Sequence, residues 1–209
     1  MSPSVSTLFT SKDFKKEMNV SDSVLIALGA YASALEEWQL KLNLVGPKTL
    51  VEVWHRHFFD SAQLIDHIYP FDSQVADIGT GAGFPGIVLS ILGVPNVTLI
   101  ESDGRKILFL REVIRICKTN TQIIHSRIER LTNAQFKIIT ARALAPLPKM
   151  LHLCHTLIDD DGYFLFLKGE SFPRELTNAL KRWNMQVENF PSRTHPNGAI
   201  VKIEKLKLR

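Results

Sequence analysis

Residues 77–86 read Asp77-Ile78-Gly79-Thr80-Gly81-Ala82-Gly83-Phe84-Pro85-Gly86, and the fold turns on what flanks them. Ahead of the glycines stands the short apolar run of residues 75–78, and behind them residues 86–92 form a second apolar run. The first has the length of a buried strand and the second continues as a helix. Gly79, Gly81 and Gly83 leave no Cβ to obstruct a ligand, and they permit the positive φ values that a tight strand-to-helix turn needs. Pro85 suits the first turn of the helix, where its missing N–H would have lacked an intrahelical partner anyway. A ligand at this turn would meet bare backbone.

Glycine-rich turns serve many ligands, and Gly81, Gly83 and Gly86 also match the spacing of dinucleotide binders. Two carboxylates narrow the choice. Asp77 ends the first strand, and Glu101 ends the next one, about 20 residues past the turn, where a carboxylate accepts the hydroxyls of a ribose. An acid beside the loop repels a pyrophosphate but not S-adenosylmethionine (SAM), which carries no phosphate, so the cluster reads as a SAM site.

Outward from the turn, short apolar strands alternate with helix-length stretches: strands at 97–101, 122–125, 136–141 and 162–167, helices at 104–118 and 147–157 and another opened by Pro173, then strands at 185–190 and 199–204. Such alternation predicts an α/β fold, a mostly parallel seven-stranded sheet with helices on both faces. The segment Pro191-Ser192-Arg193-Thr194-His195-Pro196-Asn197-Gly198 is too short and too rich in Pro and Gly for a crossover helix, so the last two strands pair as an antiparallel hairpin. A wholly parallel sheet is the usual dinucleotide-binding form, whereas a reversed last strand marks the Rossmann-like class I SAM-dependent methyltransferases. Before residue 70 the apolar positions recur at helical spacing, as in Val24, Leu25, Leu28, Leu35, Trp38 and Leu42, then Val53, Phe58, Leu64 and Ile65. The expected organisation is an N-terminal helical cap, 1–70, on a SAM-binding core, 71–209, as one compact unit.

With 209 residues and 45% hydrophobic side chains the chain has the material for one ordinary domain with an extension. No apolar run approaches the ~20 residues of a membrane span, and the start lacks the pattern of a signal peptide, so a cytoplasmic location is expected. Cys117 and Cys154, far apart, suggest neither a disulfide framework nor a metal site. The formal charge of +4 is mild, yet residues 105–149 carry ten Lys or Arg against only Glu112 and Glu129. Arg105, Lys106, Arg111, Arg115 and Lys118 head that segment as candidate RNA contacts, because neutralised phosphates release counterions. The other reading, solvated helix faces, stays open.

Methyl transfer from a sulfonium is an in-line displacement that needs proximity and a lone pair. Methylation at cytosine C5 would call for a cysteine beside the fourth strand, and Thr140-Ala141-Arg142-Ala143-Leu144-Ala145-Pro146 has none. A ring nitrogen such as guanine N7 has an exposed lone pair and no proton to lose, which suits a site without an obvious base. Arg142, past the fourth strand, and Lys168, ending the fifth, are the candidates for orienting cofactor, base or phosphate. His55, His57, His152 and His155 fit no common metal spacing and read as core or surface residues.

Six ordered stretches give the chain a closer resemblance. Trp38 with Asn43-Leu44 comes first, then Arg56-His57-Phe58-Phe59-Asp60-Ser61, the glycine turn, Glu101-Ser102-Asp103-Gly104-Arg105-Lys106, Ser126-Arg127-Ile128-Glu129, and Ala141-Arg142-Ala143 with Leu167-Lys168-Gly169. Together they resemble the bacterial small-subunit ribosomal RNA guanine-N7 methyltransferases, the glucose-inhibited division protein B family. Ala82 stands where that family usually has Pro, Glu101 where Asp is common, and Val45-Gly46-Pro47 replaces a Thr-Ala-Ile type stretch. The resemblance implies SAM-dependent methylation of a guanine in the 530 loop of 16S rRNA, with the RNA or the small ribosomal subunit as partner, no metal and a monomeric enzyme. It implies cofactor contacts from Gly79, Phe84, Ile128, Glu129 and Arg142, to which the turn adds Asp77, Gly81, Gly83, Glu101 and Ser102. A small-molecule or protein acceptor, or a non-catalytic RNA-binding factor, are the competing functions.

Overall fold

The computed structural model describes residues 8–132 and 134–209; the first seven residues of the expected cap lie outside the described residues. The chain opens with α1 (Ser11–Met18), started by a capping box in which Thr10 and Asp13 bond each other's backbone, and α2 (Asp22–Gln39). A short α3 (Pro47–Leu50) follows, then a π-helical turn (Trp54–Phe59), α4 (Asp60–Ala62) and a 3₁₀ segment (Gln63–His67). The remainder alternates as β1 (Gln74–Ile78), α5 (Gly86–Ile91), β2 (Asn96–Glu101), α6 (Gly104–Cys117), β3 (Gln122–His125), β4 (Phe136–Arg142), α7 (Leu147–Cys154), β5 (Ile158–Lys168), α8 (Phe172–Ala179), β6 (Trp183–Pro191) and β7 (Ala199–Leu208).

The seven strands lie in the order β3-β2-β1-β4-β5-β7-β6. β1 to β5 run parallel, and β7 is antiparallel to both its neighbours, slotted between β5 and β6. The reversed hairpin expected from residues 191–198 is therefore present, and its return strand enters the sheet interior.

Two-residue periodicity sorts the strand side chains onto two faces. Val75, Val97, Leu99, Ile138, Leu165 and Leu167 point to one layer, with Phe14, Leu28, Tyr31, Leu35 and Phe58 from the N-terminal helices and Phe109, Leu110 and Val113 from α6. Ala76, Ile78, Ile100, Ile139, Ala141, Phe164 and Phe166 point to the other, against Leu147, Met150 and Leu151 of α7 and Phe172 of α8. Burial on both faces explains why these strands read as continuous apolar runs. The N-terminal helices share one hydrophobic layer with the sheet, and each fully buried aromatic or aliphatic there stabilises the fold by about 1.5–3 kcal/mol. Leu28, Tyr31 and Leu35 form the inward stripe of α2 at helical spacing.

Three boundaries differ from the sequence reading. α7 stops at Cys154 instead of residue 157, because Leu157 already feeds β5 and its carbonyl accepts from Phe136 N. Pro85 is the cap before α5, one position ahead of the helix. The 3.6-residue spacing expected through Val53 and Phe58 gives way to the π turn, where the N–H of Asp60 bonds the carbonyl of His55 five residues back.

Candidate active site

The carboxyl ends of β1, β2, β4 and β5 open onto one cleft of about 1280 Å³, at the switch point where strand order reverses around β1. The glycine turn forms its floor. Gly79, Gly81 and Gly83 all take positive φ, at 60°, 62° and 94°. They do different jobs. A Cβ on Gly79 would lie 2.4 Å from Leu144 Cδ1, and one on Gly83 would lie 2.6 Å from Ile87 Cδ1. At Gly81 the nearest atom to such a Cβ is the Gly79 carbonyl at 3.9 Å, so that position faces open cleft.

Two carboxylates brace the turn from opposite sides. Glu101 is buried, and its Oε2 accepts from Gly81 N at 3.0 Å while Oε1 accepts from Ser102 N at 2.7 Å and Asp103 N at 2.9 Å. A carboxylate has about four acceptor positions, which leaves Oε2 room for a donor from the cleft it lines. Asp77 is fully buried beneath the turn; its Oδ2 accepts from Thr80 Oγ1 and from Gly86 N at 2.8 Å, and Oδ1 has no partner. Burial pushes its carboxyl up to about 7, against the bonds from Thr80 and Gly86. Asp77 and Gly83 are absent from the cleft wall, so the expectation that they touch a cofactor gives way to a role in shaping its seat.

The other expected cofactor residues come together on the wall: Gly79, Gly81, Phe84, Glu101, Ser102, Ile128, Glu129 and Arg142. Ile128 is buried in a single 3₁₀ turn after β3, offering an apolar face to a planar base. Arg142 ends β4 with its guanidinium 4.7 Å above the Phe84 ring. Nη1 donates to Arg56 O at 2.9 Å and to Asp60 Oδ2 at 3.4 Å, and Nη2 donates to His57 Nδ1 at 2.7 Å. Phe84 continues as a stack, with Tyr31 at 5.2 Å on one side and His57 at 4.9 Å on another.

Lys168 departs from its expected role. Although it lines the cleft, its Nζ pairs with Glu175 Oε2 at 2.6 Å and donates to Ala145 O at 3.1 Å, with only 8% of the side chain exposed. Glu175 of α8 also accepts from Leu147 N, so the pair ties three elements together instead of offering a free cation to phosphate or base. Of the five expected RNA contacts only Lys106 reaches the cleft. Arg105 pairs with Asp103 and Arg115 with Glu112, both on the exposed side of α6, where Arg111 also lies; Lys118 caps the helix at its far end. The cations on the cleft wall besides Lys106 are Arg56, Arg127 and Lys149.

Sequence reasoning missed His57, Asp60 and Thr194. His57 read as a core or surface residue, and it is buried, but it is bonded to Arg142. Nothing in local spacing signalled this; the quoted stretch of residues 56–61 was the only pointer.

A SAM molecule fits what these residues offer. Gly81 leaves a Cβ-sized opening, Glu101 keeps acceptor capacity for hydroxyls, Phe84 and Ile128 supply apolar walls and Arg142 supplies a cation. Among the described residues no cluster of three or more His, Cys, Asp or Glu is placed to hold a metal ion, and no helix is long and apolar enough to cross a membrane.

Comparison with known proteins points the same way. The family model GidB, described as rRNA small subunit methyltransferase G, matches residues 25–199. A ribosomal RNA small subunit methyltransferase G of Rhodospirillum centenum is 44% identical over 201 residues, 96% of this chain and 93% of its own. The protein of the same name in Rhodospirillum rubrum is 45% identical over 199 residues, 94% of this chain and 98% of its own. Among solved structures, a TehB-like SAM-dependent methyltransferase from Corynebacterium glutamicum superposes with a TM-score of 0.57 at 18% identity, over 83% of this chain and 98% of that one. That likeness is one of fold.

Proposed function

The chain belongs to the rRNA small subunit methyltransferase G family, and from that premise we propose that it methylates N7 of a guanine in the 530 loop of 16S rRNA, with SAM as donor. Its fold is the class I SAM-dependent methyltransferase fold that strand alternation and the reversed hairpin predicted. The observation that carries the reading is the pairing of Gly81 and Glu101 across the β1–β2 cleft: an open backbone position beside a buried carboxylate with acceptor capacity left.

When bound, SAM supplies an electrophilic methyl group on a sulfonium. Glu101 holds sugar hydroxyls, Phe84 and Ile128 flank the base, and Gly79, Ser102 and Glu129 complete the seat. Arg142 is the residue that orients a reactant at the end of β4. No proton has to leave guanine N7, so no side chain is assigned as general base; alignment supplies the acceleration. The partner is 16S rRNA or the small ribosomal subunit, met in the cytoplasm by a single copy of the chain. Lys106, with Arg56, Arg127 and Lys149 on the rim, attracts its phosphates, and the exposed α6 cations Arg105, Arg111, Arg115 and Lys118 extend that field.

The test is incubation with labelled SAM and small subunits that lack the modification, followed by mapping of 7-methylguanosine. Label in the 530 loop is the expected result. Label on a protein or a small molecule, or RNA binding without any SAM binding, overturns the proposal in favour of a different acceptor or a non-catalytic role.

A further inference from the structure

We propose that the π-helical turn is a guanidinium clamp, in which His57 and Asp60 are positioning residues that fix Arg142 so that its remaining donors face an oxygen acceptor in the cleft. The inference rests on the methyltransferase reading, and it concerns residues 54–60, which that reading leaves without a role.

An arginine has five N–H donors. One turn of chain takes three of them: the Arg56 carbonyl and Asp60 Oδ2 on Nη1, and His57 Nδ1 on Nη2. Nε–H and one Nη2 N–H have no partner among the described residues, and Arg142 lines the cleft. The guanidinium is held on its flat side as well, since Phe84 carries both Arg142 and the His57 ring. Local π-helical geometry is rare and recurs at functional sites. Here it brings a carbonyl, an imidazole and a carboxylate of residues 56, 57 and 60 to a single group.

The chemistry fixes the state of His57. Arginine only donates, so Nδ1 accepts and the ring proton sits on Nε2, which donates to Thr49 Oγ1 at 2.8 Å; that hydroxyl donates to Gly46 O at 2.8 Å. The chain of bonds thus ties the loop before α3 to the end of β4. Asp60 extends the clamp the other way, accepting from Thr194 Oγ1 at 2.6 Å on the loop between β6 and β7. Arg142 is 16% exposed and Asp60 19%, so the clamp works where water competes little, and donors fixed before the reactants arrive need no reorganisation. The acceptor is an oxygen from one of two sources, the carboxylate of the cofactor's amino-acid portion or the exocyclic oxygen of the target guanine. One fork serves either.

The experiment is a double-mutant cycle with His57→Leu and Arg142→Met, read as methylation of unmodified small subunits and as SAM affinity by calorimetry. His57→Leu should lower kcat/KM on the order of 10- to 100-fold, the cost of a slightly misplaced group. In the Arg142→Met background it should change almost nothing, because the residue acts through Arg142. His57→Asn, whose Oδ1 stands in for Nδ1, should recover most of the loss. Weakened SAM affinity in His57→Leu assigns the acceptor to the cofactor; unchanged affinity with lower kcat assigns it to the guanine. Independently of turnover, nitrogen-15 NMR of the ligand-free protein should show His57 protonated on Nε2 and bare on Nδ1. Additive losses in the cycle, failure of the Asn variant to recover activity, or a proton on Nδ1 overturns the clamp even where the wild-type chain methylates rRNA as proposed.

Discussion

Gly81 and Gly86, five residues apart in one turn, should respond to substitution in opposite ways. A side chain on Gly81 meets open cleft, so Gly81→Val projects into the space assigned to SAM and adds left-handed strain of about 1–2 kcal/mol. SAM titration should show binding lost while the chain still folds; unaltered affinity would mean the site is misplaced. On Gly86 a Cβ would lie 2.3 Å from Leu99 Cδ2 and 2.9 Å from Asp77 Cβ. Gly86→Ala should therefore cost about 1–3 kcal/mol in urea unfolding through overpacking. Asp77 adds a pH signature. Burial raises its carboxyl from 3.8 to about 7, so between those values the folded chain keeps a proton that the unfolded chain has released. Its contribution to stability is whole below pH 3.8 and declines as pH rises through 7, by up to about 1.4 kcal/mol per unit. His57 has the reverse sign. Burial, then Arg142 and Arg56, lower it from 6.5 to about 3, so stability is lost as pH falls from 6.5 towards 3. Unfolding free energies measured across that range should lose the first slope in Asp77→Asn and the second in His57→Asn; identical profiles for wild type and variants would contradict both assignments.

Among elements, α8 is held to the sheet and to α7 largely through one ion pair. Burial pushes the carboxyl of Glu175 up, but the bonds from Lys168, Ser171 and Leu147 N outweigh it and hold the group below its usual 4.5. The stability it contributes is present above 4.5 and lost as pH falls through the lower folded value. Glu175→Leu strands the Lys168 ammonium and the Leu147 N–H, and should cost about 3–5 kcal/mol in urea unfolding. Adding Lys168→Met should recover most of that. If the double variant also methylates, Lys168 is a structural cation; restored stability without turnover would return it to the substrate. This pair and the π turn mark where sequence reading ends. Strands β1, β2, β4 and β5 were legible because two-sided burial writes them as apolar runs, and Glu101 and Arg142 because they end such runs. Lys168 also ends one, but its partner sits on the next helix, a pairing that only tertiary packing creates. His57 and Asp60 were illegible for a related reason: a hydrogen bond displaced by one residue leaves no mark on apolar spacing, so residues 53–65 read as an ordinary helix.

At the scale of the whole molecule the question is which surface meets RNA. The net charge of +4 is too small to decide it, and the basic run at 105–149 splits when folded. Lys106 and Arg127 look into the cleft that holds the reaction, whereas Arg111 and Arg115 lie on the exposed side of α6, Arg115 already bonded to Glu112 at 2.7 Å. An exposed pair of that kind is worth little, about 0–1 kcal/mol, so phosphate can displace Glu112 and exposure alone excludes neither face. Salt dependence separates them, because each phosphate neutralised on single-stranded RNA contributes about −0.7 to the slope of log affinity against log salt. Lys106→Ala with Arg127→Ala should flatten that slope by about one unit per contact and raise KM for the subunit, leaving SAM affinity near wild type. Arg111→Ala with Arg115→Ala should flatten it less if RNA enters only through the cleft. A larger effect from the second pair would lay the RNA across α6, with the target base reaching Arg142 over the lip formed by Asp103 and Lys106.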